Sequence, residues 1–285
     1  MHIAKIQDFH PSPSHNQTNR MQYYRMVFYA FKPLCTMAVI EINGLNKFFG
    51  KFQALRDVTL KIEEGEVFGL LGLNGAGKTT LIRILMGLLK PTSGSVRVFG
   101  IDPSKEPLPI RKRASLLPQE CQAYENLTAF ENIVYYGLMQ SVSPKEEIID
   151  RAQYLIKLIG LKGRENELTK KFSGGMKRKV LVARSVVGNP ELLFLDEPTT
   201  GIDVLGARKV RNLIHRLSKE ERKTIILTTH DLTEINLLCD RVGILVDGEL
   251  KAIGSPDELE DQFRSANIEE IFAALVEGEV GGVDA

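Results

Sequence analysis

The chain lacks tryptophan, has only three cysteines and contains no long unbroken run of apolar residues. A transmembrane helix needs about 20 consecutive apolar residues, whereas the most apolar early stretch, residues 26–40, is interrupted by Lys32 and Pro33. We therefore expect any role at a membrane to require a second polypeptide. The cysteines are far apart and in no metal-binding spacing, which is typical of isolated thiols in a reducing compartment.

The chain also has little net charge, +1 over 285 residues. This balance argues against a broad nucleic-acid-binding surface, so no nucleic-acid partner is expected. A hydrophobic content of 43% over this length is enough to build a sizeable globular core.

The composition changes near Met37. Residues 1–36 are polar, rich in Pro, Ser and Asn, and aperiodic, which predicts a disordered N-terminal extension. From Met37 the sequence alternates like a strand. We hypothesise that the folded domain occupies residues 37–260, that translation could also start near Met37, and that residues 261–285 form a short C-terminal extension.

Short strands and helices alternate through most of the domain, with a helical stretch in the middle. Apolar residues recur at helical spacing in a subdomain at about residues 127–188, where Ser143 is a candidate helix N-cap. Around it, the sequence predicts a helix over residues 79–89, a strand over 93–100, a helix over 205–217 and strands over 224–228 and 242–246. Ser255 is a second candidate N-cap, before a short C-terminal helix, and another apolar-periodic run follows over residues 268–276.

A glycine-rich loop follows a predicted strand and opens a predicted helix. It matches G-x-x-x-x-G-K-[ST] in full and comprises Gly72, Leu73, Asn74, Gly75, Ala76, Gly77, Lys78 and Thr79, followed by Thr80. Glycines let backbone N–H groups surround phosphates, and the helix N-terminus adds partial positive charge. We expect Lys78 to bridge the β- and γ-phosphates of a nucleotide and the Thr79 hydroxyl to coordinate Mg²⁺.

Two acids, Asp196 and Glu197, follow the apolar run Leu192–Leu195. Because carboxylates are rarely buried unpaired, we expect the pair at the carboxyl edge of a sheet, beside the phosphate loop. Asp196 then fits a magnesium ligand and Glu197 fits the base that polarises an attacking water. The alternative is a helix-capping Asp-Glu pair before Pro198.

The expected fold class is α/β, a P-loop NTPase core with an antiparallel β flank and an inserted α-helical subdomain.

A third motif precedes a helix predicted from Met176 to Val187. It consists of Phe172, Ser173, Gly174, Gly175 and Met176. The serine and glycines make a second candidate anion site at a helix N-terminus, with a simple N-capped helix as the alternative. The basic run Lys177–Lys179 either steers phosphate or forms an exposed helix face, and the second interpretation is favoured.

In this order the three motifs resemble those of the ATP-binding cassette (ABC) ATPases, in which two copies sandwich ATP. The resemblance implies that Ser173, Gly174 and Gly175 of one copy contact the γ-phosphate held by the other. The usual motif is L-S-G-G-Q, so Phe172 and Met176 are departures. Met176 lacks the polar contact to nucleotide that a glutamine would supply.

Four further residues match the family. The resemblance implies that Gln119 contacts the metal or water and relays the nucleotide state, and that His230 contacts the γ-phosphate. It places Asp203 across the dimer interface and Phe49 under adenine. Taken singly, Gln119 is a polar loop residue, His230 a capping residue and Asp203 a helix N-cap. Of Phe48 and Phe52, we expect one or both to lie in the core.

The resemblance covers nearly all of residues 39–257. It implies an ATPase that uses ATP and Mg²⁺, pairs with a second copy of itself, and drives separate integral-membrane permease subunits from the cytoplasmic face of the membrane. The residues of these motifs resemble those of the drug- and antibiotic-exporter branch of the family. An importer subunit and an iron–sulfur assembly ATPase remain alternatives. Only about 95 residues separate Lys78 from Ser173, without the long coiled coil of repair and chromosome relatives, and a regulator without turnover is disfavoured by Glu197.

Overall fold

The computed structural model describes residues 38–140 and 143–278. The predicted N-terminal extension, residues 1–36, and the last seven residues of the chain lie outside this range, as does Cys35. Cys121 and Cys239, within it, are free thiols.

The described residues form two β-sheets joined by helices. The strands are β1 (Ala38–Phe49), β2 (Phe52–Glu63), β3 (Val67–Leu71), β4 (Ser93–Val98), β5 (Ala114–Leu117), β6 (Leu192–Asp196), β7 (Thr224–Thr228), β8 (Arg241–Val246) and β9 (Glu249–Gly254). One sheet is antiparallel in the order β2-β1-β4; the other has the order β5-β6-β7-β3-β8-β9. In the second sheet all neighbours are parallel except β8 and β9.

Helices cover the sheets, and three of them lie between β5 and β6 in the sequence. They are α1 (Lys78–Leu85), α2 (Pro107–Arg113), α3 (Ala129–Gln140), α4 (Lys145–Leu158), α5 (Gly174–Val186), α6 (Val204–Lys219), α7 (Leu232–Leu238), α8 (Pro256–Phe263) and α9 (Ile268–Glu277). The predicted fold class is therefore confirmed: a mostly parallel sheet with an antiparallel flank and a helical insertion, α3 to α5.

The parallel strands have apolar residues on both faces because both faces are covered. In β6, Leu192 and Phe194 pack with the antiparallel sheet and α1, while Leu193 and Leu195 pack with the inserted helices. This alternation follows from the two-residue repeat of a strand. All five residues of β6 are buried, so the strand delivers its final residue, Asp196, to the carboxyl edge of the sheet.

The inserted helices pack against one another through the apolar faces that the sequence pattern predicts. The buried side chains of Ile133 on α3, Ile148 on α4 and Val180 on α5 belong to one apolar cluster. Gly137 lets α3 approach α4, because a Cβ at that position would lie 2.6 Å from Ile148 Cγ2. The insertion thus holds α5, whose N-terminus carries the Ser-Gly-Gly motif, against the α/β core.

Several predicted boundaries were wrong. Helix α1 ends at Leu85 instead of residue 89, because Gly87 adopts a φ of +64°, a left-handed conformation typical of a helix end. Helix α4 has Pro144, and not Ser143, at its N-cap position. The predicted capping box at Ser255 is confirmed, since Ser255 and Glu258 bond each other's backbone N–H groups.

Strand β9 and helix α7 were not predicted, although both have local signals. Asp247 and Gly248 both have positive φ in the turn between β8 and β9, and an Asp-Gly pair between apolar runs is a hairpin signal. Asp231 caps α7 by accepting a hydrogen bond from Thr233 N.

Two features are absent from the described residues. No helix in residues 38–140 and 143–278 is long and apolar enough to cross a membrane. In the same part of the chain, no group of three or more His, Cys, Asp and Glu side chains is arranged to hold a metal ion.

Candidate functional site

The phosphate loop connects the central strand β3 to α1 and is tightly enclosed. A Cβ at Gly72 would lie 2.4 Å from Leu245 O, and one at Gly77 would lie 2.6 Å from Ala54 O. Gly75 and Gly77 also have φ values of +88° and +109°, which L-residues rarely adopt. Glycine is therefore required at these positions, and the backbone curls around a space at the N-terminus of α1.

Lys78 lies inside this loop. Its Nζ donates hydrogen bonds to Gly72 O at 2.5 Å and Leu73 O at 3.1 Å. Burial lowers the pKa of Lys78, and the nearby charges of Glu197 and Asp196 oppose that shift. The acid pair thus lies close enough to the loop to act electrostatically on its lysine, as the sequence predicted.

Asp196 is buried at the end of β6, and its partner comes from the adjacent strand. Thr228, which pairs with Asp196 across β6 and β7, donates its hydroxyl hydrogen to Asp196 Oδ1. Because the hydroxyl bonds one carboxylate oxygen, it orients the group at the sheet edge. Thr228 was missed from sequence, although the Thr-Thr-His run contained it.

Glu197 is held by contacts to both its backbone and its side chain. Its N–H donates to Thr228 O at 3.0 Å, and its Oε2 accepts a hydrogen bond from Thr200 Oγ1, also at 3.0 Å. Glu197 Oε1 lies 2.7 Å from His230 Nδ1. The residue has a φ of +53°, an unfavourable region for a non-glycine residue that often marks functional sites.

The Ser-Gly-Gly motif forms the N-terminus of α5. Ser173 Oγ accepts a hydrogen bond from Met176 N at 3.3 Å, so Ser173 is the N-cap of α5, as the alternative of an N-capped helix expects. The helix begins at Gly174, two residues before the predicted start at Met176. A Cβ at Gly175 would lie 2.8 Å from Gly201 O, whereas one at Gly174 would meet no atom of the described chain within 4 Å. Gly175 is therefore explained by packing within the chain, and Gly174 is not.

Arg164 contacts both departures from the usual motif. Its Nη1 lies 3.2 Å from the Met176 Sδ atom, and its guanidinium lies over the Phe172 ring at 5.2 Å from the centroid. Phe172 is buried. The two substitutions thus form one packed unit with a surface arginine that also pairs with Glu167.

Asp203 and Gln119 lie on exposed segments beside this motif. Asp203 accepts a hydrogen bond from Gly206 N at 2.8 Å as the N-cap of α6, and this bond lowers the pKa of its carboxyl group. Gln119 follows β5, and its carbonyl oxygen accepts a hydrogen bond from Arg178.

The aromatic residues near the end of β1 contradict one expectation. Phe48, Phe49 and Phe52 are 39%, 47% and 64% exposed, so neither Phe48 nor Phe52 belongs to the core. The turn between β1 and β2 projects beyond the sheets and leaves these rings without a cover. Lys47 Nζ lies 4.9 Å from the centre of the Phe49 ring.

The basic run on α5 contradicts a second expectation. Arg178 and Lys179 are each only 8% exposed, so the run does not form an exposed face. Arg178 turns toward the loops that carry Gln119 and Glu197 and donates hydrogen bonds to their carbonyl oxygens. Sequence periodicity could not reveal this, because the acceptors lie on segments distant in the chain.

The site residues divide between two clefts. A cleft of about 410 Å³ is lined by Gln119, Gly174, Arg178 and Glu197, among others, and by no residue of the phosphate loop within the described chain. A second cleft is lined by Leu73, Asn74, Gly75 and Ala76 and by none of the described residues 172–179. The structure thus brings Lys78, Asp196, Glu197 and His230 together. The Ser-Gly-Gly motif reaches the first cleft, which Glu197 also lines, through Gly174, but it does not reach the cleft beside the phosphate loop.

Comparison with known proteins identifies the family. The ABC transporter family model matches residues 55–200. The chain is 39% identical to the bacitracin transport ATP-binding protein BcrA of Bacillus licheniformis over 212 residues, 74% of this chain and 68% of that protein. It is also 39% identical to the ABC transporter ATP-binding protein NatA of Bacillus subtilis, over 79% of this chain and 92% of that protein.

A solved structure agrees. The dimeric structure of an ATP-binding cassette in a post-hydrolysis state, bound to ADP and Pi, superposes with a TM-score of 0.68 at 28% identity and covers 76% of this chain and 98% of that one. The chain belongs to the ABC transporter family. It is an ATP-binding subunit of that family and hydrolyses ATP.

Proposed function

We propose that two copies of this chain close around two Mg-ATP and drive export through separate membrane permease subunits. The observation that carries the proposal is the division of the site into two clefts. The phosphate loop and the Ser-Gly-Gly motif of one chain border different spaces, yet each presents backbone N–H groups at a helix N-terminus. A second copy would bring the two halves to the same nucleotide.

The residues of the phosphate loop fit a nucleoside triphosphate. The enclosed glycines Gly72 and Gly77 leave no room for a Cβ, and the exposed Asn74 and Gly75 present the loop backbone to solvent. Gly75, Ala76, Thr79 and Thr80 would contribute loop and helix N–H groups to the phosphates. Lys78, already aimed into the loop, would exchange its two carbonyl partners for phosphate oxygens.

Oxygen donors at the loop and sheet edge fit Mg²⁺. The Thr79 hydroxyl, the Asp196 carboxylate and the Gln119 side-chain oxygen would hold the ion directly or through water, since hard cations prefer oxygen ligands. When bound, the ion neutralises charge on the phosphate oxygens. Thr228 would keep the Asp196 carboxylate oriented for this role.

Glu197 and His230 fit the hydrolytic step. We assign Glu197 as the base that orients and polarises the attacking water, because its carboxylate lies at the sheet edge next to the loop lysine. His230 Nδ1 bonds Glu197 Oε1, so its other ring nitrogen is directed away from the carboxylate and is free to approach the γ-phosphate. His230 is largely exposed, as expected for a group that completes its contacts only with nucleotide present.

We assign the remaining predicted residues to contacts with the second copy and with adenine. Ser173, Gly174 and Gly175 would contact the γ-phosphate held by the second copy, and Asp203, at the start of α6, would lie across the interface. Gly174 supports this assignment, since nothing in its own described chain requires a glycine there. Phe49, exposed at the end of β1, would stack on adenine.

We place the permease contact on an exposed apolar surface near Gln119. It comprises Tyr124, Tyr135, Leu138 and Met139, which are 49%, 47%, 44% and 70% exposed. Tyr124 follows the Gln119 loop and packs edge-on against Tyr135 at 5.6 Å. A permease segment seated there would sense movement of the loop that contacts nucleotide. We propose that the subunit acts at the cytoplasmic face of the membrane. Export is supported by the names of relatives, which include bacitracin transport and linearmycin resistance proteins.

The assembly is tested with Glu197→Gln, which keeps the side-chain shape but removes the carboxylate base. We expect ATP hydrolysis to fall by about 100-fold or more, while an ATP-bound dimer accumulates. Phosphate release and sedimentation with saturating Mg-ATP measure the two effects, and Glu64→Gln, in the exposed turn before β3, is the control. A variant that stays monomeric contradicts the sandwich, and one that hydrolyses like the parent contradicts the role of Glu197.

A further inference from the structure

Arg178 is a buried cation that the proposed chemistry does not use. It lies on α5, five residues beyond Ser173, and is 8% exposed. Among the described residues, no ion pair joins its guanidinium to a carboxylate, and the charges of Asp196 and Glu197 act on it only at longer range. A buried arginine without a paired acid is costly, which requires strong alternative partners.

Those partners are backbone carbonyls of two functional loops. Arg178 Nη1 donates to Pro118 O at 3.3 Å and to Gln119 O at 3.2 Å. Arg178 Nη2 donates to Glu197 O at 2.8 Å and also to Asp196 O. The planar fork of one guanidinium thus joins the Gln119 loop to the acid pair.

The hydrogen bond from Arg178 to the Glu197 carbonyl helps to hold the left-handed backbone conformation of Glu197. A left-handed φ on a non-glycine residue is strained and persists only when the surroundings hold it. The Glu197 N–H is held by Thr228 O and its carbonyl oxygen by Arg178. With both ends of the residue bonded, the carboxylate keeps one direction toward Lys78 and His230.

We propose that Arg178 is a positioning residue that holds the Glu197 backbone and the Gln119 loop in one arrangement with α5. Because the N-terminus of the same helix carries Ser173 to Gly175, Arg178 links the motif offered to the second copy's nucleotide with the base of its own site. The inference rests on the assignment of Glu197 under the proposed function.

A double-mutant cycle tests this link. Arg178→Met removes the fork at similar volume, and we expect kcat for ATP hydrolysis to fall by roughly 10- to 100-fold, as for misplaced catalytic groups, with the Kd for ATP within about twofold of the parent. In a Glu197→Gln background the same change should cost almost nothing further, because its effect passes through Glu197. The Hill coefficient for ATP should also decrease.

Arg151 provides a matched control. It is a half-buried arginine on α4 that bonds Val186 O, at the other end of α5, and pairs with Glu221. Arg151→Met should lower thermal stability but leave kcat unchanged. If Arg178→Met does not fold, Arg178→Lys takes its place in the double-mutant cycle. A single ammonium keeps the charge but cannot bond both loops at once.

The outcomes separate the two assignments. If Glu197→Gln lowers hydrolysis but the Arg178 variants keep the parent kcat, or lower it equally in both backgrounds, the positioning role is overturned. If Glu197→Gln itself leaves hydrolysis intact, the assignment of the base is at fault.

Discussion

At the scale of single residues, the site depends on polar side chains that support the predicted ones. Thr228 orients Asp196, Thr200 bonds Glu197 Oε2, and Arg178 bonds the Glu197 carbonyl. Each is a small or buried group whose role exists only after folding. The motif residues carry the chemistry, but these neighbours determine where their oxygens point.

The adenine contact gives a prediction at this scale. Phe49→Ala should weaken ATP binding by about 1–3 kcal/mol, because base–aromatic stacking is worth about that much. Fluorescent-nucleotide titration measures the change. Phe52→Ala is the comparison variant, since Phe52 is even more exposed, begins β2 and lines the cleft beside the phosphate loop, which Phe49 does not. If Phe52→Ala weakens binding and Phe49→Ala does not, the stacking ring is Phe52.

Glu234 gives a prediction on pH. It is fully buried on α7 and accepts a hydrogen bond from Thr199 Oγ1 at 2.6 Å. Burial raises its pKa above the ordinary value of 4.5, despite bonds from Thr199 and Thr229. Since the folded pKa exceeds the unfolded one, the stability from this carboxyl is present below the unfolded pKa and is lost as pH rises through the folded pKa.

Glu234→Gln should remove that loss. We expect the free energy of unfolding of the variant, relative to the parent, to increase as the pH rises from below the ordinary pKa of a glutamate to above the raised pKa of Glu234. Urea unfolding at several pH values measures the difference. A difference that does not change with pH, or that decreases as pH rises, contradicts the shift.

At the scale of elements, short-range chemistry was predictable and long-range packing was not. The phosphate loop, the acid pair and the Ser173 cap were found because each motif sits at a strand or helix end that its own residues define. The burial of Arg178 depends on carbonyls at Pro118 and Glu197, which no local pattern connects. The exposure of Phe48 and Phe52 likewise depends on how far the β1–β2 turn projects.

The capping box of α8 gives a prediction at this scale. Ser255→Ala removes the side-chain acceptor that bonds Glu258 N at 3.2 Å, which should cost about 0.5–2 kcal/mol of stability. ATPase activity should not change, because the capping box bonds Ser255 and Glu258 to each other and, among the described residues, to none of the phosphate loop. Ser255→Asp, which keeps a capping oxygen, should retain most of the stability in urea unfolding. Equal losses in both variants would show that the cap is not the cause.

At the scale of the whole molecule, we propose that residues 1–36 are not required for the activity of the domain that follows them. The elements of the described residues begin with β1 at Ala38, and both sheets are completed by residues from there onward. Deleting residues 1–36 should therefore leave the ATPase rate and the thermal unfolding temperature close to those of the full chain. A large loss of folded protein on deletion would show that the extension contributes to the domain.

The central place of β3 has a consequence for biosynthesis. The phosphate loop is made early, but its walls are made late: Gly72 lies against Leu245 O, and Gly248 N bonds Ala76 O at 3.0 Å. About 170 residues separate Lys78 from Gly248, which a ribosome adds in roughly 10–30 s. For most of that interval the nascent chain carries the apolar strand β3 without either of its neighbours, β7 and β8. Nucleotide bound in the completed loop can therefore assist folding only after translation has nearly finished.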